Sequence, residues 1–146
     1  MSAWTNYAEN KIIDAVFRGQ ALGAPATWYI GLVKTDPGEA GGGTEVSGGS
    51  YARVSVAASL ANWAGTQSAG STVASSGAGG TTSNNVLIQY PAPTADWGQA
   101  THLALFDALT GGNAWVYSPL TTPKTINNGD SAPSFAISAL TFQVDN

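Results

Sequence analysis

The sequence contains no cysteine at all. That removes disulfide staples and thiolate metal ligation together, so stability must come from packing alone. It holds one histidine, His102, which leaves no imidazole or thiolate partner for a zinc site. Charge is scarce as well: Asp, Glu, Lys and Arg make up 10% of the residues, against about 25% in ordinary globular domains. The five basic residues, Lys11, Arg18, Lys34, Arg53 and Lys124, are scattered, and the net charge is −4. Nucleic-acid binding needs a basic stripe to neutralise phosphates, so no nucleic-acid partner is expected. A membrane span needs roughly 20 apolar residues in a row; the longest runs, such as residues 26–33, are far shorter, so no membrane partner is expected either. The opening Met1-Ser2-Ala3-Trp4-Thr5-Asn6 lacks a basic region followed by an apolar one, which points to synthesis in a cytoplasm without a signal peptide.

Small neutral residues fill the gap left by charge. Hydrophobic residues still make up 43% of 146 positions, enough for one domain (residues 1–146) with a substantial core. A surface of small neutral groups is weakly hydrated, and covering it costs little charge desolvation. Such a composition suits a subunit in permanent contact with copies of itself or with other subunits. It also suits a Gly/Ser-rich extracellular β-protein.

One segment reads as a helix, over residues 6–18. Asn6 and Glu9 have capping-box spacing, with Asn in place of Ser or Thr. Ala8, Ile12 and Val16 then share one face, with Ile13 and Phe17 beside them. Gly19 or Gly23 supplies the stop. This one-sided helix must dock on something. After Pro25 the pattern changes to period two: Trp28, Ile30 and Leu32 face one way, Tyr29, Gly31 and Val33 the other. Both faces are apolar, which predicts an internal strand between two layers. A glycine-rich loop follows over residues 36–50, and a strand resumes from Tyr51 to Val56. Residues 64–85 are almost wholly Gly, Ala, Ser and Thr, and read either as an arm that orders against a neighbour or as a flexible flap. The C-terminal half alternates through several short strands, with Asn128-Gly129 as a turn signal. Seven or eight short strands separated by turns predict a mostly β fold: an antiparallel sandwich, jelly-roll-like, with one N-terminal α-helix.

Chemistry-bearing constellations are few. His102 alternates with Leu103 and Leu105 and shares a face with Ala100, Ala104 and Phe106, the setting of a packed structural histidine. No serine sits in a Gly-x-Ser-x-Gly elbow, and the 77–80 glycines lack the lysine of a phosphate loop. No carboxylate pair is nominated for glycoside hydrolysis, so no catalytic residue and no cofactor is expected. Asp36, Glu39 and Glu45 share one loop and carry hard oxygen ligands of the kind that hold Ca²⁺. Their spacing matches no EF-hand, and turn formation explains them equally well. Five tryptophans remain. Trp28 and Trp115 lie on apolar strands and are expected in the core. Trp63 and Trp97 lie in loop-like surroundings, where an interface or sugar-stacking role gains weight.

The order of segments resembles a family of small tailed-phage virion proteins labelled as tail fibre or head decoration proteins. The resemblance runs through Ala8-Glu9-Asn10-Lys11-Ile12-Ile13-Asp14, Tyr29-Ile30-Gly31-Leu32 with Thr35-Asp36-Pro37, and residues 45–53. It continues through Trp97-Gly98, residues 101–107, Gly111-Gly112-Asn113 and residues 127–130. It implies a virion structural protein and no enzymatic activity. The leading expectation is a capsid decoration (cement) protein on the outer head shell, contacting the major capsid protein and self-associating as a dimer or trimer. The alternatives are a tail-fibre or tail-tip receptor-binding component and a lectin-like carbohydrate-binding module. Candidate partner-interface residues are Trp4, Tyr7, Asp36, Glu45, Tyr51, Arg53, Trp63 and Trp97, on the N-terminal segment and the two small-residue loops or near them.

Overall fold

Alternation along residues 27–33 builds the strand around which the rest is arranged. In a computed structural model, which describes residues 1–144, β2 (Thr27–Val33) lies inside a five-stranded antiparallel sheet. Its companions are β1 (Ala3–Trp4), β3 (Val54–Ala57), β6 (Gly98–Phe106) and β7 (Ala114–Ile126), in the order β1-β7-β6-β2-β3. Two short antiparallel ribbons complete the β structure: β4 (Thr81–Ser83) with β9 (Thr141–Gln143), and β5 (Ile88–Gln89) with β8 (Ser134–Phe135). The fold is mostly β, with one helix at the N-terminus, as the pattern predicts.

Period-two alternation sorts the sheet into two faces. Ile30, Leu32, Leu103 and Leu105 pack against Ile88, Tyr90, Leu140 and Phe142 from the ribbons, giving a sandwich-like main core. The opposite face gathers Val33, Ala104, Phe106 and Ala114 under Tyr29 and Tyr117. β2 is thus internal and covered on both sides. Ala100 departs from the expected alternation: it belongs to the main core with Leu103, not to the face of Ala104 and Phe106. The cause is an irregularity between Ala100, which pairs with Lys124, and His102, which pairs with Pro119. Extra residues on β7 there break strict period two.

The helix α1 (Asn6–Phe17) is capped by Thr5, one residue before the expected Asn6. The buried Thr5 hydroxyl accepts from the Ala8 N–H at 3.3 Å and donates to the Ala114 carbonyl at 2.7 Å. One hydroxyl therefore satisfies a helix end and welds it to β7, which Asn6, already helical, does not do. Gly19, with φ +67°, provides the left-handed residue after the C-cap Arg18. Ala8 is buried, but Val16 is not. The helix docks through its Ala8 side, leaving Ile13, Val16 and Phe17 facing outward (Phe17 is 79% exposed), and Leu22 is exposed just beyond.

Residues 64–85 are pinned rather than loose. The Thr82 hydroxyl donates to the Ala64 carbonyl at 2.7 Å, and β4 pairs with β9. Asn84, fully buried, donates to the Val86 and Ala136 carbonyls at 2.8 Å each and accepts from the Leu140 N–H at 2.9 Å. The exposed loop between these anchors is closed by Thr66 Oγ1 donating to the Ser76 carbonyl at 2.9 Å. A low-complexity run thus acquires fixed ends because its few amides and hydroxyls replace ladder hydrogen bonds.

Candidate functional site

Two constellations collect most of the candidate residues. The first forms where the 36–50 loop returns to the sheet. Lys34 N–H donates to the Thr44 carbonyl and Val46 N–H to the Leu32 carbonyl, which lays Thr44–Val46 along the free edge of β2. Glu45 then meets Arg53 in a bidentate pair, Nε to Oε1 at 2.8 Å and Nη2 to Oε2 at 2.7 Å. Arg53 Nη1 donates to the Ala108 and Gly111 carbonyls at 2.6 and 2.8 Å, and the guanidinium lies 3.5 Å from the Phe106 ring centre. The Tyr51 hydroxyl donates to Glu45 Oε1 at 2.9 Å and accepts from the Leu32 N–H at 2.8 Å. Only glycine fits at position 31 beside this network: a Cβ there would lie 2.8 Å from both Glu45 Oε1 and the Phe106 ring.

Tyr51 stacks on Tyr90, with ring centres 6.2 Å apart, and meets the edge of Trp97 at 5.3 Å. Trp97 is 1% exposed and donates its indole N–H to the Gly49 carbonyl at 2.9 Å. Burial, and secondly the nearby Glu45 charge, hold the Tyr51 hydroxyl far above the usual tyrosine range. Burial pushes Tyr90 up in the same way, and the neighbouring Tyr51 and Glu45 add to it. The surfaces of Arg53 and Trp97 are therefore used within the chain: they tie the loop, the 107–113 turn and the sheet together, and offer little to a partner. Asp107 closes that turn. Burial raises its carboxyl, but hydrogen bonds from the Asn113 backbone and side chain and from the Trp115 indole outweigh this and hold it below the usual carboxylate range.

The second constellation is an aromatic cleft of about 430 Å³. Trp4 enters it from β1 and Trp28 from β2, while Trp63 is held by a bridge to Asn84 and lies 6.0 Å from the Phe142 ring centre. Leu60 and Val144 stand exposed at its margin. The indole N–H groups of Trp4 and Trp63 are buried and have no hydrogen-bond partner among the described residues. Trp115 is buried as expected, packed by the edges of Tyr7 at 5.5 Å and Trp28 at 5.6 Å. Trp28 is only half-buried, and its part in the cleft was not legible from its apolar strand.

The remaining candidates stand apart. Tyr7 is half-buried against Trp115. Asp36 is exposed; its carboxylate accepts from the Gly38 N–H at 2.9 Å and lies 3.7 Å from His102 Nε2. His102 Nδ1 lies 2.8 Å from the Thr101 hydroxyl, a packed arrangement of the kind expected. Glu45 is committed to Arg53, so it does not join Asp36 and Glu39, and no cluster of three or more possible metal ligands occurs among the described residues.

Against known proteins, residues 3–143 match the family described as Podophage GP4 fiber I protein gp80. No match was found among curated proteins. Since the match spans nearly the whole chain, from β1 to β9, this chain belongs to that family of phage fibre proteins and is a virion component.

Proposed function

We propose that the chain is a non-enzymatic structural subunit of the fibre apparatus at the tail of the particle, assembled through its N-terminal helix onto copies of itself or neighbouring fibre subunits. The family description as a fibre protein favours the tail over the head shell. The observation that carries the assembly reading is the outward apolar stripe of Ile13, Val16 and Phe17, with Leu22 exposed beyond the helix, on a chain whose charged fraction is 10%. Stripes of this kind on soluble domains mark interaction surfaces. The non-catalytic reading draws support from the use of the charged groups: Arg53, Glu45 and Asp107 all serve as pins between loops and strands. Immunogold labelling of purified virions, with quantification against the major capsid protein, tests the location. Gold confined to the tail, at low copy number, is the expected result. Gold over the head with copies in the hundreds would replace this reading with a cement protein bridging major capsid protein subunits.

A further inference from the structure

The aromatic cleft has walls that exclude most ligand classes. Trp4, Trp28, Trp63 and Phe142 give it apolar faces, and no charged side chain lines it among the described residues. An ionised ligand would lose its hydration there without gaining a counter-charge. An aliphatic chain would cover the rings but leave two donors without acceptors, because Trp4 and Trp63 both hold unpartnered buried indole N–H groups. A buried indole N–H ordinarily finds a partner, so two orphans in residues that line one cleft mark an incomplete hydrogen-bond set. Both nitrogens lie just beneath the cleft surface and meet a ligand only when the rings turn. The lining also carries the hydroxyls of Ser59, Thr66, Ser75 and Thr82. Its volume, about 430 Å³, falls in the range of small-molecule sites. By contrast, the larger cavity of about 690 Å³ beside the β7 irregularity is lined by Lys124 and Asp130, contains no indole and has no orphan donor on its walls.

A neutral pyranose meets all of these conditions. Its C–H face packs on an aromatic ring, its hydroxyl and ring oxygens accept from indole N–H groups, and it carries no charge to desolvate. We propose that this cleft is a saccharide subsite, in which a neutral hexopyranose lies against the tryptophan rings and takes hydrogen bonds from Trp4 and Trp63 after a small rotation of the indoles. Of the lining hydroxyls, Thr66 and Thr82 donate within the chain, while Ser59 and Ser75 only accept there and keep their protons for the outer edge of the sugar. This assignment concerns the isolated chain and holds wherever in the particle the subunit sits, so labelling on the head rather than the tail leaves it standing.

The test is a titration of the intact chain with neutral trisaccharides of glucose, mannose, galactose and N-acetylglucosamine, followed through the indole N–H resonances and tryptophan fluorescence. A trisaccharide bearing uronic acid and cyclohexane, a ring of similar size with no acceptor, serve as the charged and the purely apolar comparators. The expected result is a saturable shift of the Trp4 and Trp63 indole signals with at least one neutral sugar and none with the comparators. Trp63→Phe keeps a ring but removes the donor, and is expected to raise Kd at least tenfold. Leu60→Arg, at an exposed position on the margin, blocks the mouth and raises Kd similarly, with an unchanged thermal midpoint as its control for folding. Absence of a saturable shift with every neutral sugar overturns the assignment. So does equal binding of cyclohexane, or wild-type affinity in both variants.

Discussion

Removing Glu45 gives the sharpest test of how the loops are held. The Arg53 side chain is 5% exposed and its partner Glu45 is 29% exposed. Glu45→Ala would therefore leave a guanidinium almost out of water, with two backbone carbonyls and the Phe106 ring around it but no anion. Breaking a buried pair from one side costs about 3–5 kcal/mol, because the surviving charge is uncompensated. The same variant deprives the Tyr51 hydroxyl of its acceptor, which keeps the expectation at the upper part of that range. Against a total stability of about 5–15 kcal/mol for a domain, such a loss is large. Arg53→Met removes the charge itself, and the Ala108 and Gly111 carbonyls it leaves lie in a solvent-facing turn where water can replace it. The double variant Glu45→Ala/Arg53→Met is therefore expected to cost less than the two single changes added together, by about 1 kcal/mol or more. Urea unfolding followed by tryptophan fluorescence measures all four corners of the cycle. A Glu45→Ala cost below about 1 kcal/mol, the value of an exposed pair, or strict additivity in the double variant would refute the reasoning.

Three further outcomes are expected. Asn84→Ala should destabilise by about 1–3 kcal/mol, since the buried Leu140 N–H and two part-buried carbonyls lose their partner; limited proteolysis of the 66–79 loop should quicken in parallel. Tyr51 and Tyr90 have folded-state pKa values raised above the unfolded value, so their contribution is intact below about pH 10 and falls as pH rises above it. The alkaline limb of a stability–pH profile should drop by about 1.4 kcal/mol per pH unit for each such tyrosine, and Tyr51→Phe should shallow it by one such step; an unchanged slope would count against the burial of that hydroxyl. Phe17→Ser, at a position 79% exposed, should leave urea unfolding of the isolated chain within about 0.5 kcal/mol of wild type while reducing self-association in sedimentation and incorporation into particles.

Legibility followed periodicity and failed where side chains substitute for it. The short run of Trp28, Ile30 and Leu32 interleaved with Tyr29, Gly31 and Val33, rich in aromatic and branched residues and set off by Pro25 and the loop after it, specified an internal strand with two covered faces. Ala100 moved to the other face because an irregularity in pairing is a relation between two strands, and neither strand announces it alone. Trp97 looked open among Asp96, Gly98 and the nearby prolines. It is buried because Gly49, nearly fifty residues earlier, presents a carbonyl to its indole. The cap fell to Thr5 rather than Asn6 for a similar reason, since the Ala114 carbonyl rewards a hydroxyl there. Within the cleft, Trp63 was nominated from its loop surroundings and Trp4 from its place before the helix. Their meeting depends on the Trp63–Asn84 bridge and the β1–β7 pairing, neither of which has a local signal.

The scarcity of charge noted in the sequence gains a further meaning from where the charges lie. Of the two arginines, Arg53 is enclosed by Glu45 and backbone carbonyls, and Arg18 lies 3.1 Å from Asp14 on the same helix. Lys11 sits over the Tyr7 ring, 5.8 Å from its centre. Few cations are therefore left free at the surface, and what field there is comes from the excess of carboxylates behind the net charge of −4, which steers anionic partners away rather than in. Discrimination among partners on such a surface has to come from short-range features: the shape of an apolar stripe, or donors that lack acceptors. The α1 stripe supplies the first and the tryptophan cleft the second, and they occupy different elements of the chain.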